Sequence, residues 1–377
     1  MMKAIVTIVR ILTGGLFVFS GLVKAIDPRG LSYKMQEFFE AWSHSGFLPG
    51  MMQWLGNFAL TFSIIIITLE VLAGLALLLG WRPRFTVRLL FLLIVFFTFL
   101  TAYVLFSGKI RACGCFGDCI PLTPVQTFTK DLILLAFGIL LMWKNKWIQP
   151  LFSPGVLKII LLLSAGATLF LQWYVQRYLP LKDCLPFKAG NNIWELRKMP
   201  ANAVPDKYAM SFVYQKGGEI KSFGMDALPD STWTFVERKQ VLIEKGKNNV
   251  PPITDFVLTT SSGTDTTAAI LQQTGLYYLL FVKNINGLPA GFKADQQLLV
   301  NLAQKGIACY IISADSEQLK SRYDVLLANG QPQQPIFLNC DATTVKTAAR
   351  ADMVLYKMQG PVVQQKWGWA DIKNVKP

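Results

Sequence analysis

The sequence predicts a multi-domain membrane protein: about five transmembrane helices, a small β-rich segment, and a mixed α/β domain outside the bilayer. Three observations point there. Apolar residues make up 52 % of the 377 residues and crowd into the part before residue 180, more than one soluble globule needs. Several apolar runs in that half approach the roughly 20 helical residues that cross a hydrocarbon core. After residue 207, short β-type runs and then alternating strands and helices replace them.

The predicted spans are Ile5 to Val23, Asn57 to Leu79, Phe85 to Phe106, Phe128 to Trp143 and Val156 to Tyr174. Each is nearly free of charge and is bounded by Gly, Pro, Lys, Arg or Trp, as a lipid-embedded helix requires. The first is not read as a cleaved secretory signal, because Lys24, Asp27 and Pro28 follow it where a small-x-small site would stand.

A formal net charge of +14 raises the question of nucleic acid, since clustered cations neutralise phosphates. A membrane protein explains it otherwise, because basic loops stay on the cytoplasmic side. Arg82, Arg84 and Arg88 follow the second span, and Lys144, Lys146 and Lys158 follow the fourth, with no acidic residue among them. The loops at 24–56 and 107–127 mix both signs and belong outside. The expectation is a multi-pass inner-membrane protein with a cytoplasmic amino terminus, a periplasmic carboxyl-terminal domain, the lipid bilayer as partner and no nucleic acid.

Of the six cysteines, Cys113, Cys115 and Cys119 cluster in the loop between the third and fourth spans, and Cys184 lies just past the fifth. All four are expected on the same outer face, which is oxidising in a Gram-negative envelope. Three chemistries suit them. Thiols there can exchange with a disulfide, with Lys109 and Arg111 favouring the thiolate. They can bind a soft metal with His44, although no pair of Cys-x-x-Cys motifs supports it. Or a fixed structural bridge braces the loop against Cys184. Cys309 and Cys340 lie in apolar strand-like runs and read as buried, inert thiols.

Glu70 interrupts the second span, where a carboxylate is costly and faces the bundle interior with a partner or a function. Lys24 and Asp27 close the first span, as a capping group or as a pair. Trp42, Trp54 and Trp81 read as interfacial anchors.

In the second half, strands are expected at Tyr208 to Tyr214, Glu219 to Gly224, Trp233 to Val236 and Gln240 to Ile243, and Pro251 with Pro252 marks a boundary. After Phe256 to Thr259 come strand Leu276 to Val282, helix Phe292 to Gln304, strand Ala308 to Ser313, helix Glu317 to Leu327, strand Pro335 to Leu338 and helix Ala342 to Arg350. Met353 to Lys357 and Val362 to Lys366 close as a hairpin. Strands separated by helices call for a partly parallel sheet, and the hairpin makes it mixed.

Two resemblances rest on these residues. Lys24-Ala25-Ile26-Asp27-Pro28, Glu70 with Gly74 and Gly80, the basic turn after Gly80 and the Cys113-Gly114-Cys115-Phe116-Gly117 loop resemble the DoxX/MauE class. The likeness implies a four-helix bundle over 1–145 linked to redox or disulfide maturation of exported proteins, akin to quinone-linked disulfide-forming enzymes. It also implies a fifth helix acting as a tether over 146–184. Residues 251–377 are similar to thioredoxin-like domains, after a β-rich linker at 185–250. The likeness fails at the chemistry: Lys283-Asn284-Ile285-Asn286 stands where the active-site cysteines belong, and Met353 where a cis-proline belongs. The domain then reads as a binding or scaffolding relic.

Two functional expectations follow. In the first, the chain is a thiol-disulfide oxidoreductase partner: Cys113, Cys115, Cys119 and Cys184 are catalytic, a protein thiol outside the cytoplasm is the partner, and Glu70 lies beside a quinone. In the second, it is a non-enzymatic envelope scaffold with a permanent bridge.

Overall fold

The computed structural model describes residues 1–110, 114–244, 246–290, 292–328 and 334–376. Seven helices fill the first half: α1 (Met2–Ala25), α2 (Pro28–His44), α3 (Pro49–Asn57), α4 (Ala59–Leu79), α5 (Pro83–Ser107), α6 (Pro124–Trp143) and α7 (Pro154–Tyr178). Of these, α1, α4, α5, α6 and α7 are long and apolar enough to cross a membrane. Five of the seven begin on proline, whose fixed φ suits the first helical turn and whose missing N–H would be unsatisfied there anyway.

Small residues set the closest seam. A Cβ built on Gly14 would fall 2.9 Å from the Gly74 carbonyl oxygen, and one on Gly74 2.8 Å from that of Gly14, so α1 and α4 touch backbone to backbone. The apolar core of this half draws on Val6, Val9, Phe17, Ala73, Leu77, Leu90, Ile94 and Leu141. Helix α7 lies mostly exposed, with Leu162, Leu163 and Phe170 facing outward. It is held by Gln172, whose amide donates to Thr68 Oγ1 at 3.0 Å.

The segment expected as an outer loop, 24–56, is largely helical. Asp27 caps α2 by accepting from the Gly30 amide at 3.1 Å, and α2 buries Phe38 among Trp42, Leu100, Val104 and Tyr103. Trp42, expected as an interfacial anchor, packs at tilted and edge-on angles against Phe38, Phe99 and Tyr103.

Beyond α7 come α8 (Ile193–Leu196) and a three-stranded antiparallel sheet of β1 (Lys207–Lys216), β2 (Glu219–Gly224) and β3 (Thr234–Glu244), in the order β2-β1-β3. The two runs expected near 233 and 240 are one strand, β3, carried through a register irregularity opposite Val213 and Tyr214. Phe256 to Thr259 is no strand and makes only isolated bridges, from Thr259 to Asp265 and Asn339.

The remaining elements are α9 (Thr267–Leu271), β4 (Leu276–Val282), α10 (Ala294–Gln304), β5 (Cys309–Ser313), α11 (Glu317–Ala328), β6 (Ile336–Asn339), α12 (Ala342–Ala348), β7 (Met353–Gln359) and β8 (Val362–Gly368). Their sheet runs β6-β5-β4-β7-β8, parallel from β4 to β6 and antiparallel through β7 and β8, the mixed sheet expected. β4 is buried almost throughout, as a central strand covered on both sides must be. Phe187 and Ile193 join this core from the segment just after α7.

Candidate functional site

The site grows from four elements that converge at one end of the apolar helices. About one turn apart on α1, Ser20 and Lys24 share the face towards Glu70 of α4, and α6 brings Lys130 and Asp131. Lys24 Nζ lies 2.9 and 2.8 Å from the two Glu70 carboxylate oxygens, with both side chains almost wholly buried. The Ser20 hydroxyl lies 2.8 Å from Glu70 Oε1 and 2.9 Å from the Cys115 carbonyl oxygen. The Lys24 ammonium also sits 4.8 Å from the centre of the Phe97 ring, a contact that gains strength in a dry setting.

A second pair stands beside the first. Lys130 Nζ lies 2.5 Å from Asp131 Oδ1, and Thr101 donates to Asp131 Oδ2 at 2.9 Å. Lys130 and Cys115 line the same small space. The space between the two pairs is about 20 Å³, the room of about one water. Glu70, expected beside a quinone, faces Lys24 and Ser20 there.

Of the four expected thiols, Cys113 lies outside the described residues, as does Arg111. Cys115 is buried at the mouth of the two pairs. The turn that carries it needs left-handed backbone at Gly114 (φ 73°) and Gly117 (φ 58°), closed by the Gly117 amide on the Gly114 carbonyl. Cys119 is bonded to Cys184 with 4.9 Å between their Cα atoms. This bridge ties the α5–α6 loop to the segment after α7, one of the three pairings open to four cysteines. Cys309 and Cys340 are buried, and desolvation pushes both thiols up to about 12. His44 lies at the end of α2 near Gln53 and Asn57.

The elements after α7 are seated on the helices by charge. Arg350 pairs with Asp27 at 3.0 Å and with Asp118, Arg29 pairs with Asp352 at 2.8 Å, and Lys366 pairs with Asp183 at 2.6 Å. Asp118 and Asp183 each immediately precede a bridged cysteine. Burial pushes the Asp27 carboxyl up, against the pull of Arg350. Lys283, in the place of the expected thiol, donates to Tyr33 Oη at 2.9 Å, and burial together with Arg29 holds its amine well below the usual lysine range.

Sequence reasoning missed three functional candidates. Lys130 and Asp131 fall inside the expected fourth span, and an adjacent charged pair in a membrane helix is itself a signal. Arg10 lies within the first span; its guanidinium donates to the Leu77, Leu78 and Gln149 carbonyls at 2.8, 2.6 and 3.1 Å, a cation at the carboxyl end of α4. At that end Gly80 is left-handed (φ 72°), and a Cβ there would stand 2.4 Å from the Gln149 carbonyl oxygen.

Five long apolar helices enclosing buried ion pairs define a multi-pass membrane protein. Residues 2–144 match the family described as "Methylamine utilisation protein MauE", and residues 208–245 match a "Domain of unknown function (DUF8463)". The chain is 28 % identical over 130 residues to "Protein TlpB" of Flavobacterium psychrophilum, covering 34 % of this chain and 33 % of that protein. The match therefore spans about a third of that relative's length. No solved structure matches.

Proposed function

We propose that the chain takes part in thiol-disulfide redox chemistry or disulfide maturation of proteins outside the cytoplasm, through Cys113, Cys115, Cys119 and Cys184. One observation carries this reading: the buried Cys115, four residues before the bridged Cys119, lines the small space between Lys24–Glu70 and Lys130–Asp131. Thiol exchange needs a thiolate stabilised by a nearby cation and a group to handle the proton. Lys130 supplies the first at Cys115, and the Ser20–Glu70–Lys24 relay supplies the second. The match to the MauE family supports the assignment.

In this reading 1–145 is a four-helix bundle of α1, α4, α5 and α6, and 146–184 is the tether. Residues 185–250 form a β-rich linker, and 251–377 a thioredoxin-like domain without its cysteines. A bacterial inner-membrane orientation with that domain in the periplasm is supported by Arg82, Arg84, Arg88, Lys144 and Lys146, which lie at the helix ends opposite Asp27 and Asp118. A quinone is the electron acceptor that the family likeness implies, with Glu70 as its partner.

Alkylation trapping in membranes tests the reading. Catalytic cysteines are found partly reduced and form mixed disulfides with substrate, and Cys115→Ser abolishes turnover. The alternative is a scaffold braced by a permanent bridge, favoured by the ion pairs of Asp118 and Asp183. It requires Cys119–Cys184 to stay fully oxidised and no mixed disulfide to form.

A further inference from the structure

A groove of mixed polar and apolar lining runs along α2, between the membrane half and the domain that carries α12, towards residues that flank the bridge. Its outer part, about 270 Å³, lies between α2, α3 and α12 and is lined by Gln36, Glu40, Ser43, Gln53, Asn57 and Lys346. Its inner part, about 210 Å³, shares Gln36, Glu40 and Lys346 with the first, so the two lie side by side. The inner end is walled by Asp118 and Leu185, the residues next to Cys119 and Cys184.

The lining chemistry selects the occupant. Side-chain amides and charges of both signs stand beside the apolar Phe39 and Met52, a mixture that suits neither a bare acyl chain nor a purely anionic ligand. Among the described residues the side chains of Glu40, Gln53 and Asn57 make no hydrogen bond, so donors and acceptors stand open along the groove. An extended polypeptide, offering an N–H and a C=O at each residue, matches such a wall. We propose that this groove binds an extended, thiol-bearing polypeptide segment and delivers its cysteines to the Cys119–Cys184 bridge. The proposal rests on the redox reading above.

The exchange balances within the two partners. A substrate thiolate attacks one sulfur of the bridge, forming a mixed disulfide and releasing the other cysteine as a thiolate. The second substrate thiolate attacks the mixed disulfide, closing a substrate disulfide and releasing the first cysteine. Two electrons pass from substrate to bridge, and the two protons of the substrate thiols end on Cys119 and Cys184.

The test is a single-turnover oxidation by the full chain reconstituted in lipid, with its own bridge as oxidant. Two probes are compared: reduced, unfolded ribonuclease A and dithiothreitol. The Gln36→Ala/Gln53→Ala/Asn57→Ala variant, checked by mass spectrometry to retain Cys119–Cys184, is expected to lower the ratio of ribonuclease to dithiothreitol rates about ten-fold, the scale of one or two lost hydrogen bonds. An unchanged ratio overturns the groove. Failure of the unaltered chain to oxidise either probe overturns the redox reading, and the groove with it. Should the triple variant lose the bridge, Gln53→p-benzoylphenylalanine in the otherwise unaltered chain supplies a second measurement. A photo-crosslink to reduced ribonuclease supports the groove, and its absence overturns it.

Discussion

Replacing Lys24 by methionine removes the cation from a carboxylate that is 3 % exposed, and leaves Glu70 with Ser20 as its hydrogen-bond donor. Breaking a buried pair by deleting one partner costs about 3–5 kcal/mol, because the remaining charge stays desolvated, whereas replacing both partners with apolar residues is often near neutral. Lys24→Met is therefore expected to lower the Tm in detergent by roughly 6 to 20 °C, at about 2–4 °C per kcal/mol. Lys24→Met/Glu70→Leu should recover most of that loss. Tryptophan fluorescence during heating reads all four corners of the cycle. A single variant costing under about 1 kcal/mol, or a double variant costing the sum of the singles, would refute the claim that this pair is desolvated and coupled.

Arg10→Leu strips three carbonyls of their donor at the far end of the helices and is expected to cost about 2–4 kcal/mol in the same melt. Arg350→Ala frees Asp27 and Asp118 together; the segment joining α7 to the five-stranded sheet should then be cut several-fold faster in limited proteolysis. Cys309 and Cys340, whose thiols are pushed up to about 12, should resist iodoacetamide at pH 8 until the chain unfolds. Lys283 has a folded amine held below its unfolded value of 10.5, so its charged form is disfavoured by folding. The penalty is complete below the folded pKa and fades as pH rises through it towards 10.5. Stability should therefore climb over that window, and Lys283→Met should flatten the slope of Tm against pH.

The spans and the strands of the larger sheet were legible because each is a local pattern: a long apolar run, or a short one between turn residues. Helices α2 and α3 were not, since their apolar residues are too few for a span and their polar ones resemble a loop, although Pro28 and Pro49 marked both starts. Glu70 announced a buried partner, but its identity depends on the rotational setting of α4 against α1, across 46 residues of sequence. The bridge is open for the same reason: the sequence leads one to expect four cysteines on one face, and only the path of the chain after α7 brings Cys184 to Cys119. Lys130 and Asp131 are legible in principle, as an adjacent charged pair inside the expected fourth span.

The backbone contact of Gly14 with Gly74 works as a spacer gauge for everything built above it. A methyl group on either residue would meet a carbonyl oxygen closer than 3 Å, so the two helices would have to part. Ten residues further along α1, a displacement of even half an ångström is a large fraction of the tolerance of a hydrogen-bonded ion pair. The smallest side chains in the membrane half thus govern the alignment of its most polar ones.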